Sequence, residues 1–196
     1  MAIPRMSPIQ RRAAVFFLLI SLLCAVAPIP AVAQSKSKLP AIDVFGGYSY
    51  LRFDSKTLGF ANQLNLNGGN IEVALPDLYE GLGAVIDVSG HSTTEMEEFN
   101  FMIGPQYTYE WKGIRFYGHG LFGKARDRLR QPGTTQLEPS HLGKAVAFGG
   151  GVDLPLKGRF SVRPIQADYL ITTEFGSTQH NLRLSTGLVY RFGKRE

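Results

Sequence analysis

Cysteine is almost missing from this 196-residue chain; its one copy, Cys24, falls among the first 33 residues. Once that segment is removed, as argued below, no disulfide, iron–sulfur site or thiolate zinc site can form. Charge is sparse as well. Asp, Glu, Lys and Arg make up 19% of residues with a formal net charge of +5, and this shrinks to about +2 when Arg5, Arg11 and Arg12 leave with the N-terminal segment. The remaining charges are scattered, with no basic stripe and no RNA- or DNA-binding module pattern, so the sequence predicts no nucleic-acid partner. A long apolar run is the third lack. Ala13–Ala27 is the longest, short of the ~20 residues a membrane-spanning helix needs. Mean hydropathy is −0.05. That value suits a soluble protein, and equally a chain whose strands alternate apolar with polar residues so that the average cancels.

Three Arg without an acid, then the apolar run, then Pro28 and Pro30, then Ala31-Val32-Ala33 before Gln34 follow the order of a secretory signal with a small-x-small cleavage site. The sequence therefore predicts a cleavable signal over 1–33, a short polar leader over 34–40 and one folded domain over 41–196. About 163 residues suffice for one domain and not for two. Cys24 does not read as a lipidation site, because Leu23 precedes it where a small residue is needed and apolar residues continue beyond it.

From residue 41 the periodicity is two. Phe99, Phe101, Ile103, Pro105, Tyr107, Tyr109 and Trp111 share one face; Asn100, Met102, Gly104, Gln106, Thr108 and Glu110 share the other. Such alternation is a strand with one apolar and one polar side, about twice the usual soluble length. Leu182, Leu184, Thr186, Leu188, Tyr190 and Phe192 repeat the pattern. Strands are predicted near 42–52, 66–76, 81–91, 97–111, 113–125, 141–154, 159–174 and 178–192, with no long helix. In 159–174 the apolar phase shifts after Pro164, which a bulge there would restore. Connections alternate long and short. The longest, 53–65 and 126–140, fall on one side if the N-terminus is periplasmic, the asymmetry of outer-membrane barrels.

On segments where parity is clear, the polar face includes Asp43, Glu72, Asp87, Glu110, Arg115, Asp153, Arg163, Asp168, Arg183 and Arg191, and the opposing face Val73, Leu75, Leu82, Ile86, Val88, Phe101, Ile103, Tyr107, Leu184 and Leu188. Acids and bases on one side suit pairing within a narrow lumen, since each ion left dry and alone would cost several kcal/mol. The expected fold class is all-β: a closed, antiparallel, eight-stranded, up-and-down transmembrane β-barrel. Its interior is just wide enough for side chains to fill. Gly104, Gly149, Gly151 and Gly187 would make room for long Arg side chains. Tyr107, Tyr109, Trp111, Tyr190 and Phe192 crowd the ends predicted to be periplasmic, as an aromatic girdle would.

Phe45-Gly46-Gly47-Tyr48-Ser49-Tyr50-Leu51, Leu66-Asn67-Gly68-Gly69-Asn70 and Arg163-Pro164-Ile165-Gln166-Ala167-Asp168-Tyr169 resemble the first, second and seventh strands of the OmpA-like transmembrane barrel family. Ser185-x-Gly187-x-x-Tyr190-x-Phe192 is similar to the β-signal read by the barrel-assembly machinery, although Gly193-Lys194-Arg195-Glu196 follow the terminal aromatic. The resemblance implies outer-membrane residence, lipid and lipopolysaccharide as surroundings, and that machinery as a partner during biogenesis. The chain reads as a monomer. The cell-wall tethering of two-domain relatives does not carry over, since no peptidoglycan-binding segment follows.

Some barrels of this type act on lipid A through Ser, His and carboxylates at the outer rim. Here His91 and Ser92 point to opposite faces, so they make a poor pair. His91, His141 and His180 read as solvated loop residues, and His119 as a hydrogen-bonded wall residue. Gly149-Gly150-Gly151 lacks the Lys-Ser/Thr and the strand–helix setting of a phosphate loop. The sequence predicts no catalytic residue, cofactor or metal. The expected role is structural or interactive, with loops 53–65 and 126–140 as contact surfaces. Arg126, Arg128 and Arg130 are candidates for lipopolysaccharide phosphates. A narrow channel and a lipid A-modifying enzyme are the alternatives.

Overall fold

A computed structural model describes residues 41–54, 63–129, 140–174 and 177–193. The predicted signal, the leader, Arg130 and most of the two long loops lie outside these residues. The described chain forms β1 (Ile42–Phe53), β2 (Leu64–Tyr79), β3 (Leu82–Ser92), β4 (Met96–Trp111), β5 (Ile114–Leu129), β6 (His141–Pro155), β7 (Phe160–Glu174) and β8 (Ser177–Phe192). Each strand pairs with the next in antiparallel register, and β8 closes on β1. Closure leaves no unpaired sheet edge, the condition for a sheet to exist in lipid.

The short connections follow from turn chemistry. Trp111 and Ile114 are opposed across a two-residue turn whose Lys112 and Gly113 have φ of 52° and 81°. Positive φ at both central positions is the type I′ geometry whose twist matches the flanking strands. Glu80-Gly81 repeats it, with Gly81 donating its N–H to Asp77 Oδ1 at 2.8 Å. That turn lies three residues beyond the predicted start, because β2 runs on to Tyr79.

β7 carries the predicted irregularity. Arg163 pairs with Gly187 and Gln166 with Ser185, so Pro164 and Ile165 together oppose Thr186. Pro has no N–H to give the ladder, and Thr186 Oγ1 donates to Arg163 O at 3.0 Å. Both Pro164 and Ile165 therefore face outward, and Arg163 and Gln166 both face inward.

The outside is apolar. Ile71, Val73, Leu82, Ile86, Phe99, Phe101, Ile103, Phe116, Phe122, Phe148, Ile165 and Leu188 are exposed, Phe122 to 60%. The inside holds Arg183, Asp87 and Asp168 at 0%. Eleven residues, the length of the shortest strand, β3, rise about 25 Å when tilted ~45°, enough to cross a membrane's hydrocarbon. An apolar belt of this extent around an ionic interior is the surface of a protein that spans lipid. Trp111, Tyr107 and Tyr109 remain exposed at the turn end of β4, with the Lys112 ammonium 4.8 Å from the Trp111 ring.

Candidate functional site

The lumen has two halves. In the half nearer the termini, one ionic chain crosses the barrel. Arg191 grips Asp43 through Nε and Nη2 at 2.7 and 2.9 Å. Asp43 also accepts from Arg115, whose other nitrogen lies 3.6 Å from Asp153. Asp153 accepts from Arg163 Nε at 2.8 Å, and Arg163 Nη1 donates to Glu72 at 2.5 Å and to Gln166 at 2.8 Å. Gln166 Nε2 donates onward to Glu72 at 2.6 Å and Asp168 at 3.0 Å. Arg183 then clamps Asp87 bidentately at 2.8 and 2.9 Å, and donates to Asp168 at 3.0 Å and Ser89 at 2.9 Å. The β7 bulge is what aims Arg163 and Gln166 into the same space. The Arg163 guanidinium lies 4.3 Å from the Phe45 and Tyr117 rings, where cation–π attraction adds to its ion pairs.

Asp43, Glu72, Asp87, Arg115, Asp153, Arg163, Asp168 and Arg183 are buried in this network, and Arg191 is half-buried at its end. Glu110 is not among them. It has the inward parity but stands exposed next to the Trp111 turn, because alternation sets a side chain's face and not its depth along the barrel. His91 also departs from expectation: it is buried, with Nε2 2.8 Å from Ser49 Oγ. Ser92, its neighbour, points outward, and His141 and His180 are exposed. His119 is held at 2.7 Å from Asp168. The glycines serve smaller tenants than arginine: a Cβ on Gly149 would lie 2.0 Å from Asp168 Oδ1, and one on Gly151 would lie 2.6 Å from the Tyr117 hydroxyl.

Toward the long loops the lumen gains an apolar cluster beside the buried Glu98, Asp127, Thr172 and Gln179. Leu51, Phe53, Leu66, Met96, Leu121 and Leu170 are fully buried in one cluster, against which Leu64 and Leu129 pack. The sequence reading expected an ionic or wet interior throughout. These leucines were missed because Leu on the inner parity carries no mark distinguishing it from Leu facing lipid.

Of the predicted assembly-signal positions, Ser185 is buried and donates to Ser49 Oγ at 2.9 Å. Gly187 pairs with Gly47 across the closing seam. The Tyr190 ring meets Phe160 at 5.0 Å and Phe192 at 4.6 Å, both edge-on.

At the loop end of the wall, a cleft of about 550 Å³ is lined by Asn67, Ser92, Glu97, Phe99, Arg126 and Arg128, among others. Arg126 and Arg128 stand on β5 and not in a loop, since that strand runs to Leu129. Phe99 belongs to the apolar belt, so the cleft joins lipid-facing carbon to two guanidinium-bearing positions. Among the described residues, no group of three or more His, Cys, Asp or Glu side chains converges as a metal site.

No protein-family model matches the sequence, and no curated protein matches it. Solved structures do. The barrel is similar to Neisserial surface protein A, with a TM-score of 0.57 at 12% identity over 78% of this chain and 99% of that one. It is also similar to Ail, the attachment invasion locus protein of Yersinia pestis, with a TM-score of 0.54 at 17% identity over 78% and 99%. Ail in complex with the heparin analogue sucrose octasulfate gives 0.53 at 16% over 78% and 98%. At such identities the likeness is one of fold.

Proposed function

We propose that this closed eight-stranded β-barrel, similar in fold to outer-membrane barrels, is an OmpA-like outer-membrane protein with a non-catalytic structural and interaction role, whose working surface is its outer rim. Export through a signal over 1–33 and delivery to the barrel-assembly machinery by Ser185, Gly187, Tyr190 and Phe192 belong to the same reading, as does a monomeric state.

The observation that carries it is the rim cleft, whose lining sets Arg126 and Arg128 beside Phe99, with Glu97 and Glu98 also present. Arg126 is the register partner of Phe99 on a wall that faces lipid, and Arg128, two residues on, is the register partner of Glu97. A guanidinium pairs with phosphate through charge-assisted, often bidentate hydrogen bonds. Phosphate and acyl chain are adjacent in lipopolysaccharide, as Arg and Phe are adjacent here. Ail, a neighbour in fold, has been solved in complex with the heparin analogue sucrose octasulfate, which supports a barrel of this fold as a receptor for densely anionic groups. The catalytic alternative has little to stand on. The Ser–His contact between Ser49 and His91 is shut inside the barrel.

Replacing Arg126 and Arg128 together with Gln will weaken lipopolysaccharide binding by the folded protein about tenfold, the equivalent of about 1.4 kcal/mol of lost charge-assisted bonding. Titration of fluorescent lipopolysaccharide into detergent-solubilised protein measures it; unchanged affinity would remove the rim proposal. The narrow-channel alternative is tested separately. Ionic chain and leucine cluster both occupy the lumen, and an eight-stranded barrel is just wide enough for side chains to fill, so planar bilayers loaded with the protein will stay silent. Steady conductance steps that scale with protein would favour the channel.

A further inference from the structure

Two lysines stand where the barrel's outer wall should favour carbon. Lys124 on β5 and Lys144 on β6 are direct register partners, and both are exposed. Cβ atoms at opposed positions lie about 4.5–5.5 Å apart, and like charges placed so repel. Their surroundings do not relieve the repulsion. Across β4, Lys124 meets Phe101; across β7, Lys144 meets Thr173. Along their own strands the same face carries Phe122 and Arg126 on β5, and Leu142 and Val146 on β6. Among the described residues, no carboxylate holds a register or diagonal position beside either lysine.

The row that holds the pair also marks a boundary. Followed from strand to strand it reads Ile71, Val88 and Phe101, then Lys124 and Lys144, then Thr173 and Thr178. Carbon gives way to polar groups at β5. One row toward the tight turns, Phe122, Val146 and Ile171 are apolar again. A cation on the lipid face is costly at the bilayer midplane and nearly free at the interface. A lysine stem also lies along carbon while its ammonium reaches polar groups. Lys144 is close to His141, the first residue of β6, and so to the long-loop end. The pair therefore sits at headgroup level on the side of the long loops.

We propose that Lys124 and Lys144 hold one phosphate group of lipopolysaccharide between them, with the Thr173 hydroxyl beside it and acyl chains lying on Phe122 and Phe148. An anion there turns the repulsion between the two ammoniums into attraction toward a shared partner. Phe122 and Phe148, 60% and 58% exposed, supply the carbon below. This rests on the outer-membrane reading above and adds a second phosphate position, on the β6 side of β5. Neither lysine lines the cleft that carries Arg126 and Arg128.

The test uses the full chain folded in an uncharged detergent, with heat-modifiable gel migration to verify each variant. Without lipopolysaccharide, Lys124→Gln will unfold at higher urea than wild type, since the repulsion is gone; with lipopolysaccharide added, the order will reverse. The same order in both conditions would overturn the proposal. In titrations with fluorescent lipopolysaccharide, Lys124→Gln with Lys144→Gln will weaken binding about tenfold, while Lys124→Arg with Lys144→Arg will keep it near wild type. The loss will recur when Arg126 and Arg128 are already Gln. Dephosphorylated lipopolysaccharide will bind wild type and the Gln variant alike, and inorganic phosphate, at an ionic strength matched with chloride, will not displace the intact lipid. Unchanged affinity without the two lysines would sink this site whatever the arginines do. A loss with the lysines alone, the arginine variant being neutral, would keep this site and remove the cleft. An equal loss toward the dephosphorylated lipid, or displacement by inorganic phosphate, would overturn the assignment to a lipid phosphate.

Discussion

Arg183→Met will destabilise the barrel by about 3–5 kcal/mol, the cost of removing one member of a buried ionic group. Arg183 is 0% exposed and holds Asp87 with two bonds while donating to Asp168 and Ser89. Met fills much of the same volume, so the loss reports charge and not a cavity. The two aspartates fare differently. Asp168 keeps His119 at 2.7 Å and Gln166 at 3.0 Å; among the described residues Asp87 takes its side-chain bonds from Arg183. Adding Asp87→Leu to Arg183→Met will therefore restore more than half of the loss, since an ionic pair exchanged for packed apolar residues is often neutral. Urea unfolding in phospholipid vesicles, followed by the single Trp111, measures both. A loss below about 1 kcal/mol for the single variant would mean that water reaches these carboxylates, and the lumen would then be open.

That network was legible in the sequence as a parity and not as a set of pairs. Alternation along 99–111 and 182–192 assigns each residue a face, and the charged set follows it. Even the slip at Pro164 was readable, because a proline cannot continue the ladder and the apolar phase moves on its far side. Partners were not readable. Arg183 and Asp87 are 96 positions apart, and Arg163 and Glu72 are 91 apart. Only the closing of the ring brings them together. Depth was hidden for the same reason. Glu110 and Gln106 share a parity, yet one is exposed at the rim and the other buried. The extension of β5 to Leu129 was missed because Arg126-Asp127-Arg128 reads as a polar loop. In the barrel it is a strand with the two arginines outside and the aspartate inside. Glu98 escaped notice at the margin of a strand whose stronger signal begins at Phe99.

An arginine placed on the outer wall tests the inversion of the faces directly. Ile103 stands midway along β4, 41% exposed, with Ile86 and Phe122 as its outward register partners on β3 and β5. In vesicles, Ile103→Arg will cost about 2–4 kcal/mol, the penalty for a cation at the bilayer midplane. Leu156 is comparably exposed, at 48%, but begins the connection between β6 and β7, where the same substitution will cost about 0–1 kcal/mol. The contrast matters more than either value. Both positions bear exposed aliphatic side chains of equal size on the same molecule, so volume and exposure to a detergent-free buffer would treat them alike, and strand propensity separates them by no more than about 1 kcal/mol. A barrel that lives in water gains or loses little when an exposed isoleucine becomes arginine, and usually becomes more soluble. Only a medium that changes with height along the wall separates the two sites. Unfolding free energies that differ by less than about 1 kcal/mol between the variants would place the exposed belt in water, and the ionic lumen would then need another cause.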